Sequence, residues 1–416
     1  MESCIHTERI LRWNSGLAPF PGPIRLTMFP TNICNIKCRH CWQRWADYDK
    51  TYKSELSDER LLALVDEAAE LGVVDWYFVG GGEPMARGKL VIAMCERIRQ
   101  LGMNGHIHTN GTLFRPGMLE KLIEIGWQQV RVSLDGADAQ TNDYIRSGGF
   151  DKAVANIRRL SELKREKDAH LPDIAIYMTA TTLTCDKIVE FVELAHSLGP
   201  DVHAELSGLI VQSEGSAALE LTPAQVEKYP DYVRAGLKRA RELGVETNFE
   251  DYLAKELVQD TMMMHQNKHH KERSFGGTLR DAVCHEPWTS ASLLPDGKFG
   301  PCCAFFDENA LSIKDHSLAD VWYGAYMQEV RRGMVTGNPP SYCDRCPSNL
   351  YVHKEQMREI YAESLAKQDR WADMNSAAKV AYLVSRAARS MREVGMKGTV
   401  ERTANWLKLR RVPRAS

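Results

Sequence analysis

"IRLTMFPTNICNIKCRHC", Ile24 to Cys41, begins as a short apolar run and ends with three cysteines inside eight residues. The run alternates Leu26 and Met28 with Arg25 and Thr27, the period of a half-buried strand. Cys34, Cys38 and Cys41 therefore lie just past the C-terminal end of a strand. Five more strand-like runs follow: "VDWYFVGG", "NGHIHTNG", "QVRVSLDG", "DIAIYMTATT" and "VHAELSGLIV". Amphipathic stretches separate them and close on Leu-Gly or Ile-Gly four times, at Gly72, Gly102, Gly126 and Gly199. One, "SDERLLALVDEAAELG", opens on a Ser-x-x-Glu-like capping pattern and closes on Gly72, which predicts a helix.

Six βα units between Ile24 and Val211 predict a parallel sheet with helices outside. No dinucleotide-binding glycine fingerprint follows the first strand. The expected fold is α/β: an open, partial (β/α)6 TIM-like barrel, with a small cysteine-bearing C-terminal domain and a helical tail. Reactive groups of such a barrel gather at the C-terminal strand ends. Cys34–Cys41, Gly80–Pro84, Thr109–Gly111 and Ser133–Gly136 all fall there, after strands one to four in turn.

The chain has 416 residues and a net charge of −2, which excludes a polyanion binder and gives no sign of a nucleic-acid partner. Its first residues have neither a basic start nor an apolar core, and no run is long enough to span a bilayer. A cytoplasmic location is expected, and in a reducing compartment eleven cysteines are better read as metal ligands than as disulfides. The expected division is an N-terminal extension over 1–23, a barrel over 24–245, a Met- and His-rich linker over 246–283, a cysteine-bearing unit over 284–350 and a basic helical tail over 351–416. From Lys379 onward ten Lys/Arg face two Glu, near +8 against −10 for the rest. The tail reads as a solvated helix, or alternatively as peripheral contact with an anionic membrane surface.

A cubane [4Fe–4S] cluster offers four irons, each taking one external ligand. Cys34, Cys38 and Cys41 serve three and leave one open. The open iron can chelate the amino and carboxylate groups of S-adenosylmethionine, whose reductive cleavage yields a 5′-deoxyadenosyl radical. A zinc knuckle, the competing reading, lacks a fourth ligand nearby.

These residues resemble the radical SAM superfamily, over about Arg25 to Val211 and on into the cysteine-rich unit. "GGGEP" (Gly80–Pro84) matches that family's glycine-rich turn. The resemblance implies that Gly81, Gly82 and Glu83 meet the methionyl ammonium and that Arg146 pairs with the methionyl carboxylate. It also implies contact of Asn110 and Ser133 with ribose and adenine, and packing of His40 near adenine. Cys284, Gly297, Cys302 and the pair Cys343–Cys346 resemble the SPASM/twitch extension. Four ligands fill one closed auxiliary [4Fe–4S] cluster, with Cys303 as the alternative to Cys302. Structural zinc is the competing occupant. An Asp296-Gly297 turn between two strand-like runs predicts a hairpin in this unit.

The twitch arrangement is similar to that of 2-deoxy-scyllo-inosamine dehydrogenase-like enzymes, which implies oxidation of an alcohol on a small-molecule or glycan substrate. Radical epimerisation and peptide modification are the alternatives, and a non-catalytic metal-binding module is a remote one. The short segment before Ile24 cannot hold a leader-binding domain, which favours the small substrate. A flavodoxin- or ferredoxin-type protein is the expected electron donor. Cys185, after strand five, is the candidate hydrogen donor for an epimerisation. Glu205, which alternates with His203 and Ser207 along strand six, is the candidate base.

Overall fold

The computed structural model describes residues 22–41, 54–209, 211, 214–253, 284, 286–302, 305, 307, 309–336 and 338–345. Residues 1–21 of the N-terminal extension, 254–283 of the Met/His linker, the basic tail, Cys303 and Cys346 lie outside them, whereas 246–253 are described and Asn248 bonds to Leu206. The alternating strands and helices are β1 (Arg25–Met28), α1 (Asp58–Leu71), β2 (Asp75–Phe78), α2 (Gly88–Gln100), β3 (Asn104–Thr109), α3 (Met118–Glu124) and β4 (Gln129–Ser133). They continue as α4 (Ala139–Arg146), α5 (Phe150–Glu166), β5 (Asp173–Thr179), α6 (Ile188–Leu198), β6 (Val202–Ser207), α7 (Glu214–Ala217) and α8 (Pro223–Leu243). Neighbouring strands β1 to β6 are parallel and in chain order, so the six expected units are present. Among the described residues no helix is long and apolar enough to cross a membrane.

Local chemistry explains the boundaries. The Ser57 hydroxyl accepts from Arg60 N, which starts α1. The expected reciprocal Glu is absent, because the residue at that position is Arg60 and its guanidinium reaches elsewhere. Gly72, Gly102 and Gly126 have left-handed φ values, whereas Gly199 is extended; a Cβ there would meet Ser161 Oγ at 2.0 Å. Helix α8 carries a full capping box from Thr222 and Gln225.

Strand alternation divides the sheet's two faces. Leu26, Met28, Trp76, Phe78, Ile107, Val130, Val132, Ile174, Ile176, Ala204 and Leu206 are buried beneath the helices. The other face carries Thr27, Tyr77, His106, His108, Arg131, Ser133, Tyr177, Glu205 and Ser207, half-buried and largely polar.

The C-terminal unit joins this sheet. After α9 (Glu286–Thr289), β7 (Ser290–Leu293) pairs in parallel with β1, Arg25 opposite Ser290 and Met28 opposite Leu293. Strand β8 (Phe299–Gly300) returns antiparallel, so the expected hairpin is present. Its turn puts Gly297 at φ +88, a conformation L side chains rarely adopt. Helices α10 (Leu318–Tyr323) and α11 (Ala325–Thr336) cover the hairpin. Trp288, Phe299 and Trp322 belong to the same buried cluster as the barrel residues. Among the described residues, barrel and C-terminal unit share one sheet and one core.

Candidate active site

The segment carrying Cys34, Cys38 and Cys41 leaves β1 at the mouth and is held on three sides. At its start, Gly82 N donates to Thr31 O at 2.7 Å and Glu83 N to Ile33 O at 2.9 Å. A Cβ on Gly82 would lie 2.1 Å from Ile33 O, so the turn tolerates no side chain there. Glu55 accepts from Thr31 Oγ1 and Asn32 N, while Arg87 donates to Pro30 O and Leu56 O. In the middle, Asn110 Nδ2 donates to Asn35 Oδ1 at 2.9 Å and Asn35 Nδ2 to Thr112 Oγ1 at 2.8 Å. At its end, the last carbonyls of α4 are capped by the segment: Arg39 N donates to Ile145 O, Arg39 Nε to Tyr144 O and Cys38 Sγ to Arg146 O. Ser147 Oγ returns a bond to Lys37 O at 2.5 Å.

Inside this frame the thiols sense one another. Burial pushes Cys38 up to about 11, with Asp135, Cys41 and Cys34 adding to the rise and Arg146 opposing it. Burial also raises Cys34. Among the described residues no group of His, Cys, Asp and Glu is drawn together tightly enough to hold a single metal ion. A cubane's ligands stand further apart than those of one ion. Three soft donors on one loop, with only one cation among the charges acting on Cys38, suit an iron–sulfur cluster. His40, immediately before Cys41, is half-buried, and its Nδ1 atom is buried and unpartnered, a second mark of a site shaped for a bound group. The residues fit.

The other sequence candidates sit at the same mouth, with revised partners. Glu83 is 3 % exposed, and its carboxylate accepts from Met85 N, Thr109 Oγ1 and Asn110 N. It ties the glycine turn to the end of β3, rather than standing open to an ammonium group. Burial raises its pKa against these three bonds. Arg146 likewise has a partner: Nη1 donates to Asp135 Oδ2 at 2.6 Å. Asp135 also accepts from Thr179 N and lies 3.4 Å from His40 Nε2. Burial would raise the Asp135 carboxyl, and His40 and Arg146 bring it below its usual range. Asp135 was not a sequence candidate, although it lies inside the "VSLDG" run that yielded Ser133. Asn110 packs against the cysteine segment, its amide already bonded to Asn35 and Thr112. Gly81 is buried in the turn, and Ser133 lies half-buried at the end of β4.

Two candidates for substrate chemistry change more. Cys185 is 1 % exposed and packs in the core, its amide bonded to Thr181 O. Burial raises its thiol. A thiol so enclosed gives the hydrogen-donor expectation no support. Glu205 does face the interior, with its carboxylate 3.1 Å from Arg131. His108 was missed, though the period-two reading applied to β6 would have found it on β3. It lies between Tyr77 and Tyr177, with ring centroids 6.3 Å from each. Burial, then Arg131 and His106, pull it down to about 3, so it is a neutral imidazole. Beyond β5 and β6, a small recess is lined by Ala180, Leu209, Val211, Glu220, Leu221 and Tyr252.

In the C-terminal unit Cys284, Cys302 and Cys343 pack into or against the common core, and Cys343 is 9 % exposed. Glu286 N donates to Cys284 Sγ at 3.4 Å, and Phe305 N to Cys302 O at 3.3 Å. Cys302 and Cys343 both add to the rise of the Tyr342 phenol, after burial and Tyr326. The choice between Cys302 and Cys303, and the placement of Cys346, fall outside the described residues.

The model of the radical SAM superfamily matches residues 28–195, and that of an iron–sulfur cluster-binding domain, SPASM, matches 284–347. An AdoMet-dependent heme synthase of Methanosarcina barkeri is 32 % identical over 47 % of this chain and 53 % of its own length, so the chain spans about half of that relative. A PqqA peptide cyclase of Granulibacter bethesdensis is 27 % identical over 78 % of this chain and 79 % of its own. Among solved structures, Streptococcus suis SuiB bound to precursor peptide SuiA superposes with a TM-score of 0.55 at 18 % identity, covering 77 % of this chain and 71 % of that one. That likeness supports the fold. With the three-cysteine loop at the mouth of the parallel sheet and a second cysteine set in the unit whose strand lies beside β1, the chain carries a radical SAM domain over residues 28–195 and a C-terminal SPASM domain over 284–347, with the two iron–sulfur clusters that pairing implies.

Proposed function

We propose that this enzyme matures a peptide, in preference to oxidising a small-molecule or glycan alcohol. The observation that carries the reading is the extent of similarity. The match to the peptide cyclase runs over 78 % of the chain, whereas the match to the heme synthase, a small-molecule enzyme by its name, covers 47 %. Alcohol oxidation, the first expectation, has no comparable support. Neither does assignment to the oxidoreductases.

Cys34, Cys38 and Cys41 hold the first cluster in this reading, and Cys284, Cys302, Cys343 and Cys346 the auxiliary one. When bound, the first cluster and S-adenosylmethionine supply an electron and a 5′-deoxyadenosyl radical, with a flavodoxin- or ferredoxin-type donor as the source of electrons. Arg146 lends positive charge to the mouth, and Asp135 holds its guanidinium in place. Glu83 fixes the glycine turn against β3, so that the turn's backbone meets the methionyl group. The interior face presents Tyr77, His108, Tyr177 and the Arg131–Glu205 pair to the substrate. That mixture of rings, a neutral imidazole and paired charges matches a polypeptide with its amides and varied side chains better than one polyol.

The test is anaerobic reconstitution with S-adenosylmethionine and dithionite. Short peptides encoded beside the gene form one arm and 2-deoxy-scyllo-inosamine the other. The expected result is 5′-deoxyadenosine formation that rises with one peptide, together with a change in that peptide's mass. Stimulation by the aminocyclitol alone would overturn the peptide reading, and no 5′-deoxyadenosine from fully loaded protein would overturn catalysis.

A further inference from the structure

His108 and Arg131 are cross-strand neighbours on the interior face, just inside the ends of β3 and β4. Opposite Arg131 on β5 stands Ala175, and opposite Ala175 on β6 stands His203. A methyl group in that row leaves the guanidinium room to cross β5 and reach Glu205. Arg131 Nη2 donates to Glu205 Oε1 at 3.2 Å and Nε lies 3.1 Å from Oε2, so one edge of the guanidinium is taken. Nη1, at the other edge, has no partner among the described residues. The Arg131 side chain is 27 % exposed, which leaves that edge within reach of a ligand. The ring nitrogens of His108 have no hydrogen-bond partner among the described residues either. Its half-buried ring is held between Tyr77 and Tyr177. Burial keeps the imidazole neutral, with one N–H to give. His203, at the far end of the row, lies 3.7 Å from Glu246 instead. Two donors without acceptors thus stand side by side on neighbouring strands, and one of them is a cation.

We propose that Arg131 Nη1 and the His108 N–H bind a carboxylate of the substrate, the side chain of an aspartate or glutamate in the peptide, and so fix which part of the peptide stands at the mouth. The source of the carboxylate rests on the peptide reading given above. Glu205 is a positioning residue that holds the plane of the guanidinium. A planar guanidinium offers its N–H groups to a carboxylate in a fixed fork, which the point charge of a lysine does not. Glu205 already balances the charge of Arg131, so a second carboxylate is held by directed hydrogen bonds more than by net charge. The N–H of His108 matters for that reason. A carboxylate at this mouth has two sources, the peptide and the methionyl group of S-adenosylmethionine, and the experiment separates them.

Full-length protein, reconstituted with iron and sulfide and saturated with S-adenosylmethionine, is titrated anaerobically with N-acetyl-glutamate α-amide and with its glutamine counterpart. Binding is followed by saturation-transfer difference NMR. The acid is expected to bind at least about tenfold more tightly than the amide, the share of one charge-assisted hydrogen bond. Arg131→Gln combined with Glu205→Gln keeps a hydrogen-bonded pair of similar shape and should abolish the difference. His108→Phe keeps the ring packing and should weaken the acid about threefold, the share of a neutral donor, without moving the amide. Equal binding of the two probes to the parent, or an acid preference that survives the double variant, would overturn the inference. So would a matching loss of affinity for S-adenosylmethionine in the double variant, which would give the guanidinium to the methionyl carboxylate. If the double variant does not load, Arg131→Lys decides: it keeps a charge opposite Glu205 without the open edge, and retention of the acid preference there would overturn the inference equally. Peptide turnover with equal binding of the probes would sink this inference and leave the peptide reading standing. An acid preference that depends on Arg131, in protein that turns over no peptide, would do the reverse.

Discussion

Glu83 and Asp135 are two buried carboxylates at one mouth, and both act through what they hold. Glu83 closes three donors, two of them backbone amides of different loops. Glu83→Ala leaves those donors buried and unpaired, which is expected to cost about 2–4 kcal/mol. Denaturant unfolding checks the loss, and a variant as stable as the parent would show that water satisfies the donors. Asp135 is the acceptor for Arg146 and for Thr179 N, so Asp135→Ala strands a buried guanidinium. Binding of S-adenosylmethionine to the reconstituted protein is expected to weaken at least tenfold. Equal affinity in the variant would remove Arg146 and its partner from the cofactor site. The two cysteine sets lie on different loops, so Cys34, Cys38 and Cys41 replaced together by Ala should leave one cluster by iron and sulfide analysis. A folded triple variant without iron would contradict separate sites.

Between elements, the joint of α5 and β6 shows how charge supports packing. Lys164 of α5 has a side chain only 5 % exposed, and its Nζ lies 2.6 Å from Asp201 Oδ2, just before β6. Ser161 Oγ donates to the other carboxylate oxygen at 2.6 Å. Partial burial would raise the Asp201 carboxyl, but the bonds from Lys164 and Ser161 take it below its ordinary value. A carboxyl with a depressed folded-state pKa adds stability above its unfolded pKa and loses it as pH falls through the folded one. Asp201→Asn is therefore expected to destabilise at neutral pH by about 1–3 kcal/mol. The gap should close in acid, below the carboxylate range. A gap constant between neutral pH and pH values below about 3 would contradict the ion pair as its origin. Strand β7 makes the second joint, since it lies beside β1, which runs directly into the cysteine segment. Ala291→Pro at its buried centre interrupts a parallel ladder, at an expected cost of about 3 kcal/mol or more. Because β1 loses its neighbour, iron in the first cluster should fall along with stability.

At the scale of the molecule, the barrel and the C-terminal unit are tied by side chains as well as by the sheet. Arg60 on α1 donates to Ile313 O and His316 O, and Glu67 accepts from Arg60 and from Leu318 N, which opens α10. Arg331 of α11 is wholly buried, bonded to Pro287 O and Trp322 O, and its guanidinium stacks 4.3 Å over the Trp322 ring. Burial brings this guanidinium down to about 9. One core and one sheet should melt together. Hydrogen exchange is expected to give β1, β4 and β7 the same slowest opening. A markedly faster β7 would show that the C-terminal unit unfolds by itself.

The βα alternation, the three-cysteine spacing, the glycine turn and the Asp296-Gly297 hairpin were legible in the chain, because each is a local pattern of period, turn chemistry or ligand spacing. They suffice for the order of strands β1 to β6 and for the end of the barrel that carries the chemistry. Partners across the fold were not legible. Period two puts Glu205 on the interior face, yet only the register of β4, β5 and β6 brings Arg131 to it. Position after β5 suggested an open thiol at Cys185, and only the packing of the loop after that strand buries it. The carboxylate of Glu83 and the guanidinium of Arg146 could have been aimed at a ligand, but contacts 27 and 11 residues away in sequence already engage them. Most of all, β7 pairs with β1 across more than 260 residues of chain, and nothing local in either strand specifies the other. Local propensity writes elements and their exposed ends into the sequence; which polar groups face each other is decided when those elements close on one core.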